Sequence, residues 1–278
     1  MTNLRAAFKN YALPYSLLIA LAVIAAFPLF WIILSSIKST PELANDSLSI
    51  WPAQPTLEHY EKVLFQLGAL GNLGNSLIIA LATTVLTIIA SSTAAYGIVR
   101  FYPKVGQRLT QLLISTYMFP PILLAVPYTI IMINLGLANT YAGLVLAYLS
   151  FSIPYAVWML TAFYQTVPLE IEEAAYVDGA GYFRTFISIA SPIVMPGIVA
   201  TAIYTFINAF NEFLFALLFI NSSERMPIAV ALYSLSGSEV LDWGAMMAAS
   251  VVVVMPSVIF FLFIQKYIAA GLADGSVK

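Results

Sequence analysis

The chain has 278 residues, of which 61% are hydrophobic and 9% are Asp, Glu, Lys or Arg, and its mean hydropathy is +0.92. A soluble domain carries about a quarter charged residues, so this composition excludes one and describes an integral membrane protein surrounded by lipid. The net charge of −2 gives no basis for nucleic-acid binding, and the absence of cysteine removes disulfides and thiol chemistry.

A hydrocarbon core near 30 Å takes roughly 20 apolar residues per spanning helix. Uncharged runs at least that long extend from Asn10 to Ile37, Val63 to Val99, Leu109 to Leu169, Thr185 to Asn211 and Trp243 to Gln265. The third is too long for one span and divides at "NLGLANTYAG", where Gly136, Asn139 and Gly143 suit a turn. The expectation is an all-α membrane protein of about six spans, near 13–35, 74–99, 110–134, 141–165, 192–220 and 243–266, forming a single domain over 1–278. Its core covers about 70–266 and an outer segment about 36–73. Strand-length alternation is missing, which argues against a membrane barrel. The first span has a basic flank, but its apolar stretch outruns a signal sequence and no cleavage site follows, so it reads as retained.

Lys and Arg set the orientation. With the N-terminus in the cytoplasm, the inner segments hold Arg5, Lys9, Arg100, Lys104, Arg108, Arg184, Lys266 and Lys278, and the outer ones only Lys38, Lys62 and Arg225. Both termini are therefore expected inside.

The outer segment contains "TLEHYEKVLF", with Leu57, Tyr60, Val63 and Leu64 at helical spacing, and reads as a lid over the bundle ends. His59 is the single histidine. Without Cys or clustered carboxylates it gives no case for a metal, and none is expected. In the third run "MFPPILLAVP" places Pro120, Pro121 and Pro127 close together, a kink or a wall of a wet pathway. Further on, Tyr204, Asn208, Asn211 and Glu212 fall on one face of the fifth span. A carboxylate at membrane depth costs on the order of 3 kcal/mol, so the stripe faces the protein interior or a cavity, as an interhelical clamp or as part of a pathway.

After the charge-free third run comes "EIEEAAYVDGAG", which carries four of the 13 acidic residues. Pro168 suits a helix start, and Glu170, Glu172 and Glu173 lie near the positive end of the helix dipole. Ala174 and Ala175 leave room for a close partner, while Gly179 and Gly181 allow a left-handed exit. A short cytoplasmic helix with a docking role, or a solvated loop, follows from spacing alone.

The longer stretch "EEAAYVDGAGYFRTFISIASP" resembles the EAA loop of ABC importer permeases, here over about 168–192. Glu173, Ala174, Ala175, Gly179, Ile189 and Pro192 fall in register, Asp178 and Ala180 match the fuller form found in sugar importers, and Ser191 replaces the usual Leu. "NAFNEFLFALLF" and the terminal "QKYIAAGLADGSVK" are similar to the MalG-type carbohydrate-uptake branch.

The resemblance implies a type I ABC importer permease fold with a coupling helix, in which Glu173, Ala174, Ala175, Asp178, Gly179 and Ala180 meet an ATPase. It implies a second, MalF-type permease, two ATPase subunits that bind ATP and Mg, an extracytoplasmic solute-binding protein, a carbohydrate substrate and a bacterial or archaeal cytoplasmic membrane. It also implies that Ser236, Gly237 and Ser238 form a loop reaching the binding protein. The chain has no G-x-x-x-x-G-K-[ST] loop and no nucleophile–base pair, so it is expected to bind no cofactor and to be no enzyme itself. A polyol or glycerol phosphate permease is the alternative within transport. A proton-coupled carrier using Glu212 and a membrane-embedded enzyme are the alternatives outside it.

Overall fold

A computed structural model describes residues 2–46, 48–235 and 242–275, with side chains over 14–46, 48–235 and 242–262. Among the described residues the fold is entirely helical, as expected. The chain runs through α1 (Thr2–Ser36), α2 (Thr40–Asn45), α3 (Glu58–Glu61), a π turn (Lys62–Gln66), α4 (Ala69–Phe101), α5 (Pro103–Tyr117), α6 (Pro121–Asn134) and α7 (Tyr141–Tyr164). It continues through α8 (Leu169–Val177), α9 (Tyr182–Thr185), a second π turn (Phe186–Ala190), α10 (Ser191–Ile193), α11 (Met195–Phe210), α12 (Leu214–Phe219), α13 (Ile228–Leu235) and α14 (Trp243–Gly275).

Among the described residues, four helical stretches are long and apolar enough to cross a membrane: Pro14–Ser36, Ala69–Phe101, Tyr141–Tyr164 and Trp243–Leu262. Two bent helix pairs bring the number to six if each is one span. The expected span over 110–134, with its prolines, is divided into α5 and α6, which meet at 90°. Pro120 takes an extended backbone (φ −61°, ψ 122°), because the residue before a proline, here Pro121, is pushed out of the helical region. The expected span 192–220 is also divided. Pro196 opens α11 after a 79° bend, and α11 ends at Phe210, leaving Asn211 to Phe213 outside any helix.

Contacts group the chain into two units, one of residues 1–70 with 232–254, the other of 71–231 with 255–278. In the first, Lys38 is fully buried. Its Nζ donates to the Ser49 carbonyl oxygen and lies 5.2 Å from the centre of the Trp31 ring, so hydrogen bonding and a cation–π contact offset its desolvation. His59 is held against the Lys38 carbonyl at 3.0 Å, a local structural bond. Leu57, expected on the packed face of this segment, is exposed, while Val63 is buried.

In the second unit α7 is the central element, packed by α5, α11 and α12. Gly197 lets α11 approach it closely, since a Cβ there would fall 2.3 Å from the Phe163 ring. At the opposite end, Asn75 donates to the carbonyls of Glu224 (2.9 Å) and Met226 (3.0 Å) and accepts from Tyr141 (2.7 Å). One side chain thus ties α4, α7 and the turn after α12.

Candidate functional site

The EAA stretch folds as α8, a half-turn, and α9. Pro168 stands just ahead of α8 rather than within its first turn. At the other end the Gly179 N–H reaches the Tyr176 carbonyl (3.0 Å) and the Ala180 N–H reaches that of Ala175 (2.9 Å). This is a Schellman pair, and Gly179 takes the left-handed conformation it needs, φ +86°. A Cβ at Gly179 would meet nothing within 4 Å, so backbone conformation alone asks for glycine. Gly181 has φ −78°, which corrects the expectation that both glycines make the exit.

The inner face of α8 is fastened by charge. Glu172 is fully buried. Arg100, at the end of α4, donates to its Oε1 from Nε at 2.8 Å, and its Nη2 forms an ion pair with the same oxygen at 2.6 Å. The Tyr96 hydroxyl donates to Oε2 at 2.7 Å, and Arg100 also donates to the Val167 carbonyl at 2.8 Å. Each carboxylate oxygen therefore has a partner, the condition under which a buried ion pair is tolerated. Around it pack Tyr164 and Phe186, with ring centres 5.6 and 5.0 Å from Tyr96. The Tyr164 hydroxyl bridges Ser92 (2.6 Å) and Ser191 (3.1 Å). The loop is thereby tied to α4, α7 and α10.

Glu173, Ala174, Asp178 and Gly179 are exposed, and Ala180 is partly so. Ala175 is buried, so the small contact surface expected from the pair of alanines reduces to Ala174. Val177, Tyr182 and Phe183 extend the exposed surface with apolar side chains. Sequence reasoning had not singled out Arg100, Tyr96 or the inward role of Glu172. The usable signal was a basic residue closing an apolar run with an acidic helix later in the chain.

The polar stripe of the fifth span leads to a second feature. Tyr204, Asn208 and Glu212 line a cavity of about 280 Å³, together with Tyr117, Tyr148, Phe151, Ser152 and Phe215. Asn211 is not among the lining residues. The Tyr204 hydroxyl pairs with that of Tyr117, and its ring stacks on Tyr155 with centres 4.0 Å apart. Glu212 stands in the break after α11, not on its face. Its oxygens accept the backbone N–H groups of Phe215 (2.9 Å) and Ala216 (3.2 Å), capping α12. Ser236, Gly237 and Ser238 lie outside the described residues.

Residues 87–274 match the protein family described as binding-protein-dependent transport system inner membrane component. The trehalose/maltose transport system permease protein MalG of Thermococcus litoralis is 36% identical over 264 residues, covering 94% of each chain. The diacetylchitobiose uptake system permease protein NgcG of Streptomyces coelicolor is 31% identical, covering 96% of this chain and 89% of its own. Among solved structures, a bacterial ABC transporter involved in import of the acidic polysaccharide alginate superposes with a TM-score of 0.81 at 18% identity, covering 94% of this chain and 97% of that one. That likeness establishes the fold. The chain belongs to the inner-membrane components of binding-protein-dependent transport systems, the multi-pass permeases of ABC importers.

Proposed function

We propose that this chain is the MalG-type permease subunit of an ATP-driven carbohydrate importer, in which α8 docks an ATPase. The observation that carries the proposal is the construction of α8: an outer face left open and an inner face held by a fully buried carboxylate to the end of a spanning helix. A loop that only connects two spans has no use for so costly a fastening, whereas a lever needs one. The surface of Ala174, Val177, Tyr182 and Phe183 offers a partner both close approach and apolar area.

Assembly with a second permease, two ATPases that bind ATP and Mg, and an extracytoplasmic binding protein completes the reading. Both termini then lie in the cytoplasm. The sugar assignment rests on the trehalose, maltose and diacetylchitobiose named for the relatives. Both carboxylate oxygens of Glu212 are occupied in capping, which favours a structural role over that of a proton carrier.

The test is uptake by proteoliposomes holding the assembled complex. Internal ATP is expected to drive accumulation of labelled maltose or trehalose, and a pH gradient alone is not. Accumulation driven by the gradient without ATP would overturn the reading.

A further inference from the structure

We infer that the groove between the end of α4, the start of α5 and the end of α7 is a binding site for one anionic phospholipid of the inner leaflet. The inference goes beyond the importer reading and takes from it only the orientation that puts this end of the chain at the cytoplasmic side. The groove holds about 490 Å³, within the range of ligand pockets, roughly 300–1,000 Å³. It shares no lining residue with the cavity beside α11.

The lining is amphiphilic. Ile98, Val99, Trp158 and Ala162 give it apolar surface, and Gln107, Gln111 and Gln165 give it amide donors. The sequence of α5 shows how the polar part is built. Lys104, Gln107, Arg108 and Gln111 stand at i, i+3, i+4 and i+7, a single stripe along the helix. All four are exposed. The two glutamines line the groove, so the two basic residues stand at its edge. Arg100 is committed to Glu172, but among the described residues Lys104 and Arg108 form no ion pair.

Two free cations, amide donors and apolar surface in one groove match the parts of a phospholipid. The phosphodiester takes the cations and the amide N–H groups, and the upper acyl chain lies on the apolar side chains. Basic pockets between spanning helices on the cytoplasmic side suit anionic head groups for this reason. Trp158, 46% exposed, is a side chain suited to the membrane interface, apolar in body with one N–H. A neutral solute would leave both cations without a counter-ion.

The experiment places the complex with its partner subunits in mixed bilayers of phosphatidylcholine and phosphatidylglycerol. It measures labelling of the α5 and α7 peptides by photoactivatable forms of each lipid, for wild type, Lys104→Gln with Arg108→Gln, and Trp158→Ala. Copurification of all subunits establishes assembly. Wild type should be labelled preferentially by phosphatidylglycerol. The double variant should lose labelling roughly fivefold for each cation removed. Trp158→Ala, which keeps every charge, should also lose it roughly fivefold. Dissolved glycerol phosphate, which lacks the chains, should not compete. Equal labelling of wild type by the two lipids would overturn the site. So would wild-type labelling of Trp158→Ala, which would mark diffuse attraction to surface charge, and so would competition by glycerol phosphate, which would mark a plain anion site. ATP-driven uptake decides the importer reading separately, and that reading stands in each of these cases.

Discussion

The EAA loop and the cavity beside α11 are both polar constructions within the same unit, yet they are stabilised in opposite ways. In the loop the charged groups are spent inward: Glu172, Arg100 and Tyr96 satisfy one another and leave a clean outer face. In the cavity Ser152 and the exposed Asn208 line open space, beside a Tyr204 hydroxyl already paired with that of Tyr117. A buried, fully partnered network specifies one geometry, whereas an open cluster keeps hydrogen-bonding capacity for something that arrives. The contrast is between a part with one fixed geometry and a part with open polar surface.

Breaking the loop's network should have the largest effect. Arg100→Leu leaves the Glu172 carboxylate buried beside Tyr96 alone, at a cost of about 3–5 kcal/mol. Loss of the assembled complex, read by copurification and thermal inactivation, is the expected outcome. The double replacement Arg100→Met with Glu172→Met removes both charges and should recover much of the assembly. If the single and double variants are equally impaired, the ion pair is not what holds α8.

Gly179→Val sharpens the contrast from the turn's side. A β-branched residue at φ +86° pays about 1–2 kcal/mol in a left-handed conformation. The complex should assemble, with α8 displaced and both uptake and substrate-stimulated ATP hydrolysis sharply reduced. Wild-type coupling in this variant would remove the turn from the account.

On the cavity's side the expected effects are smaller. Glu212→Gln keeps an acceptor for the α12 amides and should retain most ATP-driven uptake. Glu212→Leu removes the cap, costs about 1 kcal/mol and should lower assembly or transport more. Equal activity of the two would show that capping by Glu212 is unimportant.

The smallest effect belongs to the outer segment, where Lys62 and Asp242 pair at 2.7 Å with both side chains partly exposed. Partial burial pushes the Asp242 carboxyl up, but the Ala245 N–H and Lys62 outweigh it and hold it below its ordinary value. Its stabilising contribution is therefore present at neutral pH and lost as pH falls below about 4. Asp242→Asn should cost only a few tenths of a kcal/mol at pH 7, and thermal inactivation curves of variant and wild type should converge in acid.

The same contrast explains what was legible in the sequence. The EAA helix, its glycine turn and the approximate span positions are written in local spacing, and α8 and Gly179 follow from it. The Glu172–Arg100 pair joins residues 72 positions apart, which local pattern does not carry, and nothing local told buried Ala175 from exposed Ala174. The break after Phe210 was hidden because Asn211 and Glu212 continue a helical spacing in sequence. In the fold Glu212 caps the next helix and Asn211 bonds back to Ile207. The bend between α5 and α6 was signalled by the prolines, though its 90° angle was not.

The absence of native cysteine makes one measurement especially clean. A single cysteine at exposed Ala174, in the complex with its ATPase subunits, should crosslink to an ATPase through a short bismaleimide, while one at exposed Leu123 of α6 should not. Failure of the Ala174 variant to crosslink while it still carries out full ATP-driven uptake would contradict the claim that α8 is the docking helix.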